Sequence, residues 1–163
     1  MSQPCIPQAR PSRARAARAR LGRSLRLVSA SHAPTVLLAY AAQAMRNRIT
    51  ALLVRHGYQV TACADGREAN ALLKAREYDL VLTGLVMPNM DGLELLRAMG
   101  RRKSPPPVIA LSDHEDGMGA VYMRSAVLFG AVCAHAVPII PSALFASIDT
   151  ALGEAPRSIS RTL

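Results

Sequence analysis

From residue 35 onward the chain alternates between two hydrophobic periods. Short apolar runs are followed by longer stretches whose apolar residues recur every three or four positions. "TVLLAY" (35–40) is apolar throughout, as expected of a strand buried on both faces. "AQAMRNRITALLVRHG" (42–57) places Met45, Ile49, Leu52 and Leu53 on one helical face and stops at Gly57. The same reading predicts a strand over 58–63, a helix over 65–77 with Ala69, Leu72 and Leu73 inward, and a strand over 79–83. A helix over 91–102 follows, in which Asp91 caps the free N–H groups and Glu94 completes a capping box. A strand over 107–111 comes after three prolines. The next helix, 115–130, is weakened by Gly117 and Gly119. A strand over 131–137 and a helix over 141–152, with Pro141 tolerated in the first turn, close the pattern.

Five strands separated by five helices predict an α/β fold with a parallel sheet, because parallel neighbours need crossover connections. Such sheets carry their functional residues at the carboxyl ends of strands. The positions to inspect are therefore Tyr40–Ala42, Gly84, Ser112–Asp113 and Val137–Pro138.

Charge divides the chain further. The net charge of +9 is concentrated in residues 1–33, which hold Arg10, Arg13, Arg15, Arg18, Arg20, Arg23 and Arg26 and no acid. Residues 34–153 hold eleven basic and ten acidic residues, and 154–163 form a short second tail. On the 1–33 segment only Leu21, Leu25 and Val28 make an apolar stripe, so it is expected to be a disordered basic tail in isolation. It has no secretory h-region. Its composition is that of a transit peptide, and a translated leader ahead of a downstream start is the plainer alternative.

Residue chemistry excludes several function classes. Cys5, Cys63 and Cys133 are odd in number, widely spaced and form no CxxC, which argues for a reducing compartment and against a disulfide framework or zinc site. His32, His56, His114 and His135 show no ligand spacing, so no metal site is expected from them. No apolar run reaches the ~18 residues of a membrane span.

Several phrases point to one family. They are "VLLAY" before a helix, "HGYQVTACADGREANALL", "YDLVLTGLVMPNMDGLELL", "PPVIALS", "FGA" and Pro138. On these residues the segment from about Thr35 to Leu152 resembles a bacterial response-regulator receiver domain of two-component signalling. The resemblance implies a flavodoxin-like (βα)5 three-layer sandwich with a five-stranded parallel sheet of order 2-1-3-4-5. Receivers of this kind take a phosphoryl group from a histidine kinase onto an aspartate. A carboxylate-held Mg²⁺, a hydroxyl and a lysine bind the phosphoryl oxygens.

Mapped onto this chain, the acidic pair falls on Tyr40 and Ala41, the acceptor aspartate on Gly84 and the lysine on Val137. The hydroxyl falls on Ser112, which is retained, and the aromatic switch position on Ala134. The resemblance therefore implies a degenerate pseudo-receiver with Mg²⁺ binding lost, no catalytic residue and no enzymatic activity. Asp113 is the one carboxylate at the pocket rim. The expected role is that of a cytoplasmic, phosphorylation-independent adaptor binding a histidine kinase, another receiver or itself. Its candidate interface is the apolar face containing Tyr122, Arg124, Ala134 and Phe145. A different class stays open: a nucleic-acid-associated protein using the tail arginines as a polyanion-binding segment. Against it stand the absence of a DNA-binding motif and the scarcity of aromatic residues.

Overall fold

Strand alternation sorts the apolar residues into two layers in the computed structural model, which describes residues 33–113 and 118–153. The strands are β1 (Thr35–Ala39), β2 (Gln59–Cys63), β3 (Leu80–Gly84), β4 (Val108–Ser112) and β5 (Cys133–Ala136). The helices are α1 (Gln43–Arg55), α2 (Gly66–Ala75), α3 (Gly92–Gly100), α4 (Met118–Leu128) and α5 (Pro141–Leu152). The strands form one parallel sheet in the order β2-β1-β3-β4-β5, the order the resemblance implied.

Residues of opposite parity on β1 and β3 face opposite helices. Leu37, Ala39 and Val81 pack with Ala69, Leu73, Leu95, Met99 and Ala126 of α2, α3 and α4. Val36, Leu38, Leu80 and Leu82 pack with Ile49, Leu53, Leu144 and Ile148 of α1 and α5. Each fully buried leucine among them contributes about 1.5–3 kcal/mol relative to exposure. β3 and β4 are buried along their whole length, which is why their sequences are apolar without alternation. The α3 capping box is present: Asp91 Oδ1 accepts from the Glu94 N–H at 2.8 Å, and Glu94 Oε2 accepts from the Asp91 N–H at 3.1 Å.

Both ends of α5 fall where expected, other element ends differ by at most three residues, and one difference matters. β1 ends at Ala39, so Tyr40 lies just beyond the strand, where its N–H still bonds to the Cys63 carbonyl at 3.1 Å. α1 ends at Arg55, ahead of Gly57 in the left-handed region at φ 85°. The expected start of the fourth helix falls partly on 114–117, outside the described residues, as do the basic segment over 1–32 and the tail over 154–163.

Candidate functional site

All five strands end on one edge of the sheet, and the loops leaving β1, β3, β4 and β5 converge there. Tyr40 dominates this end. Its side chain is buried and packs in the α1/α5 layer of the core. Its ring lies directly against Gly84: a Cβ at that glycine would stand 3.1 Å from Tyr40 Cδ2 and 3.6 Å from Met87 Cγ. The ring thus crowds the first atom of any side chain at position 84. Its hydroxyl donates to Asp113 Oδ2 at 3.2 Å, tying the end of β1 to the end of β4. Burial, then the charge of Asp113 and the hydrogen bond to it, push the Tyr40 phenol up to about 12. It stays protonated and donating at any physiological pH.

The neighbouring positions, Ala41, Ser112 and Val137, carry no charge. Ala41 is exposed, Ser112 is buried, and Val137 is half-buried beside a cis peptide bond to Pro138. The Val137 N–H bonds to the Ser112 carbonyl at 2.7 Å. Arg46, which the sequence reading did not single out, donates through Nη1 to the carbonyls of Tyr40 at 2.6 Å and Ala41 at 2.9 Å. Its place one turn into α1 offered no signal, because its partners are backbone groups outside the helix.

The β3–α3 loop is fastened rather than loose. Asn89 sits at φ 62°, a conformation asparagine tolerates better than most residues. Its Nδ2 donates to Asp65 Oδ2 at 2.7 Å, and the Met90 carbonyl accepts from the Gly66 N–H at 3.0 Å. The backbone N–H of Glu68, followed by Asn89, holds the Asp65 carboxyl below its ordinary range. Cys63 is buried, and burial together with Glu68 and Asp65 pushes its thiol up to about 12, so it is chemically quiet. Among the described residues no group of three His, Cys, Asp or Glu side chains is placed to hold a metal ion.

The candidate interface residues do not share one surface. Arg124 is exposed and Tyr122 and Ala134 are half-buried, but Phe145 is buried, stacked on His56 with ring centroids 3.8 Å apart. Phe145 belongs to the core between α1 and α5, which corrects its assignment to an outward face. The exposed large apolar residues of this region are instead Met118, Val121 and Leu128 of α4, Phe129 after it, and Ile140 before α5. They were legible in principle, since α4 is apolar around most of its circumference and the sheet can cover only one side.

On the β5–α5 side, buried His135 bonds through Nε2 to Ser147 Oγ at 2.9 Å, and burial lowers its pKa below 6.5. The unfolded chain therefore takes up this proton first as pH falls. The stability linked to neutral His135 is complete above about pH 6.5 and is lost as pH drops toward the depressed folded value. Urea unfolding between pH 7 and 5 should show stability falling on acidification, with a shallower slope in His135→Gln. An equal slope in both proteins would assign the loss to other groups.

The parallel sheet of order β2-β1-β3-β4-β5 and the helical layers on its two faces define a flavodoxin-like α/β fold. The family model described as the response regulator receiver domain matches residues 36–133. The chain belongs to the response regulator receiver domain family. It is 32% identical over 119 residues to the regulatory protein VirG of Rhizobium rhizogenes, covering 73% of this chain and 48% of that protein. It is also 32% identical over 112 residues to the transcriptional regulatory protein FixJ of Bradyrhizobium diazoefficiens, covering 69% of this chain and 53% of FixJ. Among solved structures it superposes on the receiver domain of a signal transduction histidine kinase from Syntrophus aciditrophicus. The TM-score is 0.67 and the identity 26%, over 80% of this chain and 98% of that one. The chain thus spans about half the length of these curated relatives. Among the described residues, no helix is long and apolar enough to cross a membrane.

Proposed function

We propose that this receiver domain acts as a phosphorylation-independent binding module of two-component signalling. The observation that carries this reading is Tyr40 lying against Gly84. The family's acceptor and acidic-pair positions are taken here by a glycine, a buried phenol and Ala41, and the phenol fills the space in which a phosphoryl group would be built. The residues do not fit Mg²⁺ either. That ion needs hard oxygen ligands in near-octahedral geometry, and the carboxylate at hand, Asp113, is bound to the Tyr40 hydroxyl. A pocket without a reactive carboxylate has no phosphoryl-dependent energy with which to shift a two-state equilibrium. Regulation of partner binding then comes from expression level, partner concentration or the N-terminal segment.

The binding face is α4. Met118, Val121 and Leu128 recur at i, i+3 and i+10, and their exposures of 48%, 53% and 84% leave a stripe uncovered on one side of the helix. Ser125 completes the stripe, its hydroxyl satisfied by the Val121 carbonyl at 2.9 Å. The partner is a histidine kinase, another receiver or a second copy of this chain. The expected result is that incubation with acetyl phosphate and Mg²⁺ leaves the intact mass unchanged. Association by sedimentation, alone and with a receiver-interacting kinase, is expected to be the same with and without phosphodonor and weakened by Val121→Glu. A stoichiometric acid-labile phosphoryl adduct, or association that needs phosphodonor, sinks the reading.

A further inference from the structure

The exposed stripe on α4 is interrupted by one charge. Val121, Arg124 and Leu128 stand at i, i+3 and i+7, so they share one helical face. All three are exposed, while Gly119 and Ala126 on the opposite side of the helix are buried. Phe129, 40% exposed, continues the apolar surface past the helix end. The Arg97 guanidinium of α3 lies 4.9 Å over its ring. Stacking of this kind uses the flat face of the guanidinium and leaves its N–H groups directed outward from the edge. The surface from Val121 to Phe129 thus combines apolar side chains with two arginines.

No acid offsets these cations among the described residues of α4 and α5. α4 has none, and Asp149, the acid of α5, is buried. Glu94 of α3 is bonded to the Asp91 N–H at the other end of its helix. Glu115 and Asp116 come before Met118 in the chain, whereas the cationic half of the face is the one toward Phe129. An isologous dimer pairs residues of one face with residues of the same face. Built on this stripe, it would set Arg124 against Arg124 with no carboxylate to meet either. A charge enclosed in an interface without a partner is strongly unfavourable.

We infer that the occupant of this face is not a second copy of the chain but an acidic amphipathic helix of another protein. Its apolar residues cover Val121, Leu128 and Phe129, and its carboxylates meet Arg124 and Arg97. The ridge from Val121 to Leu128 rises about 10 Å, so about two to three turns of a partner helix span it. The two helices seat as the ridges of one in the grooves of the other. Arginine among apolar side chains selects a carboxylate, because its planar fork binds both oxygens at once. An anionic membrane is the poorer match. The other side of α4 is held in the domain core, and the few exposed side chains offer little apolar area for insertion. The inference rests on the binding-module reading for the choice of face and adds the chemistry of the partner.

The test uses the full chain and labelled synthetic helical peptides, read by fluorescence anisotropy at about 0.1 M salt, where remote charges are screened. The first peptide carries leucines at i, i+3 and i+7 flanked by glutamates. The second has lysines for the glutamates. The third keeps the glutamates but has serines for the leucines, and reports attraction by the net charge of the chain alone. The first is expected to bind at least about tenfold more tightly than either control. Arg124→Glu is expected to weaken the first peptide about tenfold or more and to strengthen the lysine peptide. Arg48→Glu makes the same charge change at an exposed site on α1 and is expected to cost less than about threefold. Thermal melts establish that both variants fold. Equal losses in the two variants, no preference among the peptides, or binding of none of them would overturn the inference. Binding to anionic phospholipid vesicles but not to the first peptide would do the same. Wild-type self-association that Val121→Glu abolishes would also overturn it, by giving the face to a second copy, and would leave the binding-module reading standing. Failure of that reading shows separately, as the phosphoryl adduct or phosphodonor dependence described above.

Discussion

Gly84→Asp, the substitution that puts a carboxylate back at the end of β3, is expected to destabilise the protein and to restore no phosphoryl transfer. Gly84 has an ordinary negative φ, so the backbone accepts aspartate and the cost lies in the space. The new Cβ meets Tyr40 Cδ2 at 3.1 Å, and the carboxylate extends toward the buried ring and the negative Asp113 beyond it. Overpacking and a poorly solvated charge together cost roughly 2–4 kcal/mol. Tyr40→Ala removes the obstacle and, on its own, costs about 3–5 kcal/mol, as large-to-small aromatic changes in a core do. In the double variant the carboxylate occupies the vacated, wetter space. Its cost is therefore expected to fall short of the sum of the single changes by at least about 1 kcal/mol. Urea midpoints of the four proteins at constant m-value measure this. Additive costs would mean that Tyr40 does not occupy the space of a side chain at position 84, and the basis for the phosphorylation-independent reading would go with it.

Gly92→Ala is expected to be the most damaging single methyl in the domain. Gly92 opens α3, and its N–H bonds to the Leu85 carbonyl at 3.0 Å. An added Cβ would stand 2.2 Å from the Gly84 carbonyl oxygen and 2.9 Å from Leu85 Cα. Both obstacles are backbone, so no rotamer change relieves them, and the helix must move off the end of β3. We expect a loss above about 3 kcal/mol, at the upper end for an overpacked site. Gly100→Ala in the same helix is the matched control. Nothing lies within 4 Å of its added Cβ, and exchanging glycine for alanine at a helix end is neutral or slightly favourable. If the two substitutions shift the thermal midpoint alike, the close approach of α3 to β3 is not what position 92 requires.

The sequence by itself determined the alternation of strands and helices, the apolar character of β3 and β4, the Asp91–Glu94 capping box and the boundary of the basic segment. Each depends on local periodicity, propensity or charge within a few residues. The resemblance added the sheet order and the positions where the family's chemistry would sit. What occupies those positions in space was decided by tertiary structure. Tyr40 and Gly84 are forty-four positions apart in the numbering, and nothing local shows that one ring lies over the other's bare Cα. Asp113 reads from the chain only as a carboxylate after the end of β4, and the fold alone brings the Tyr40 hydroxyl to it. Phe145 carries the right apolar signal for either an interface or a core, and only its stacking on His56 decides between them. Arg97 and Phe129 are an ordinary cation and an ordinary aromatic residue in the chain. They meet because α3 and α4 pack side by side on one face of the sheet, an arrangement that the packing of buried apolar side chains fixes and that no stretch of sequence encodes alone.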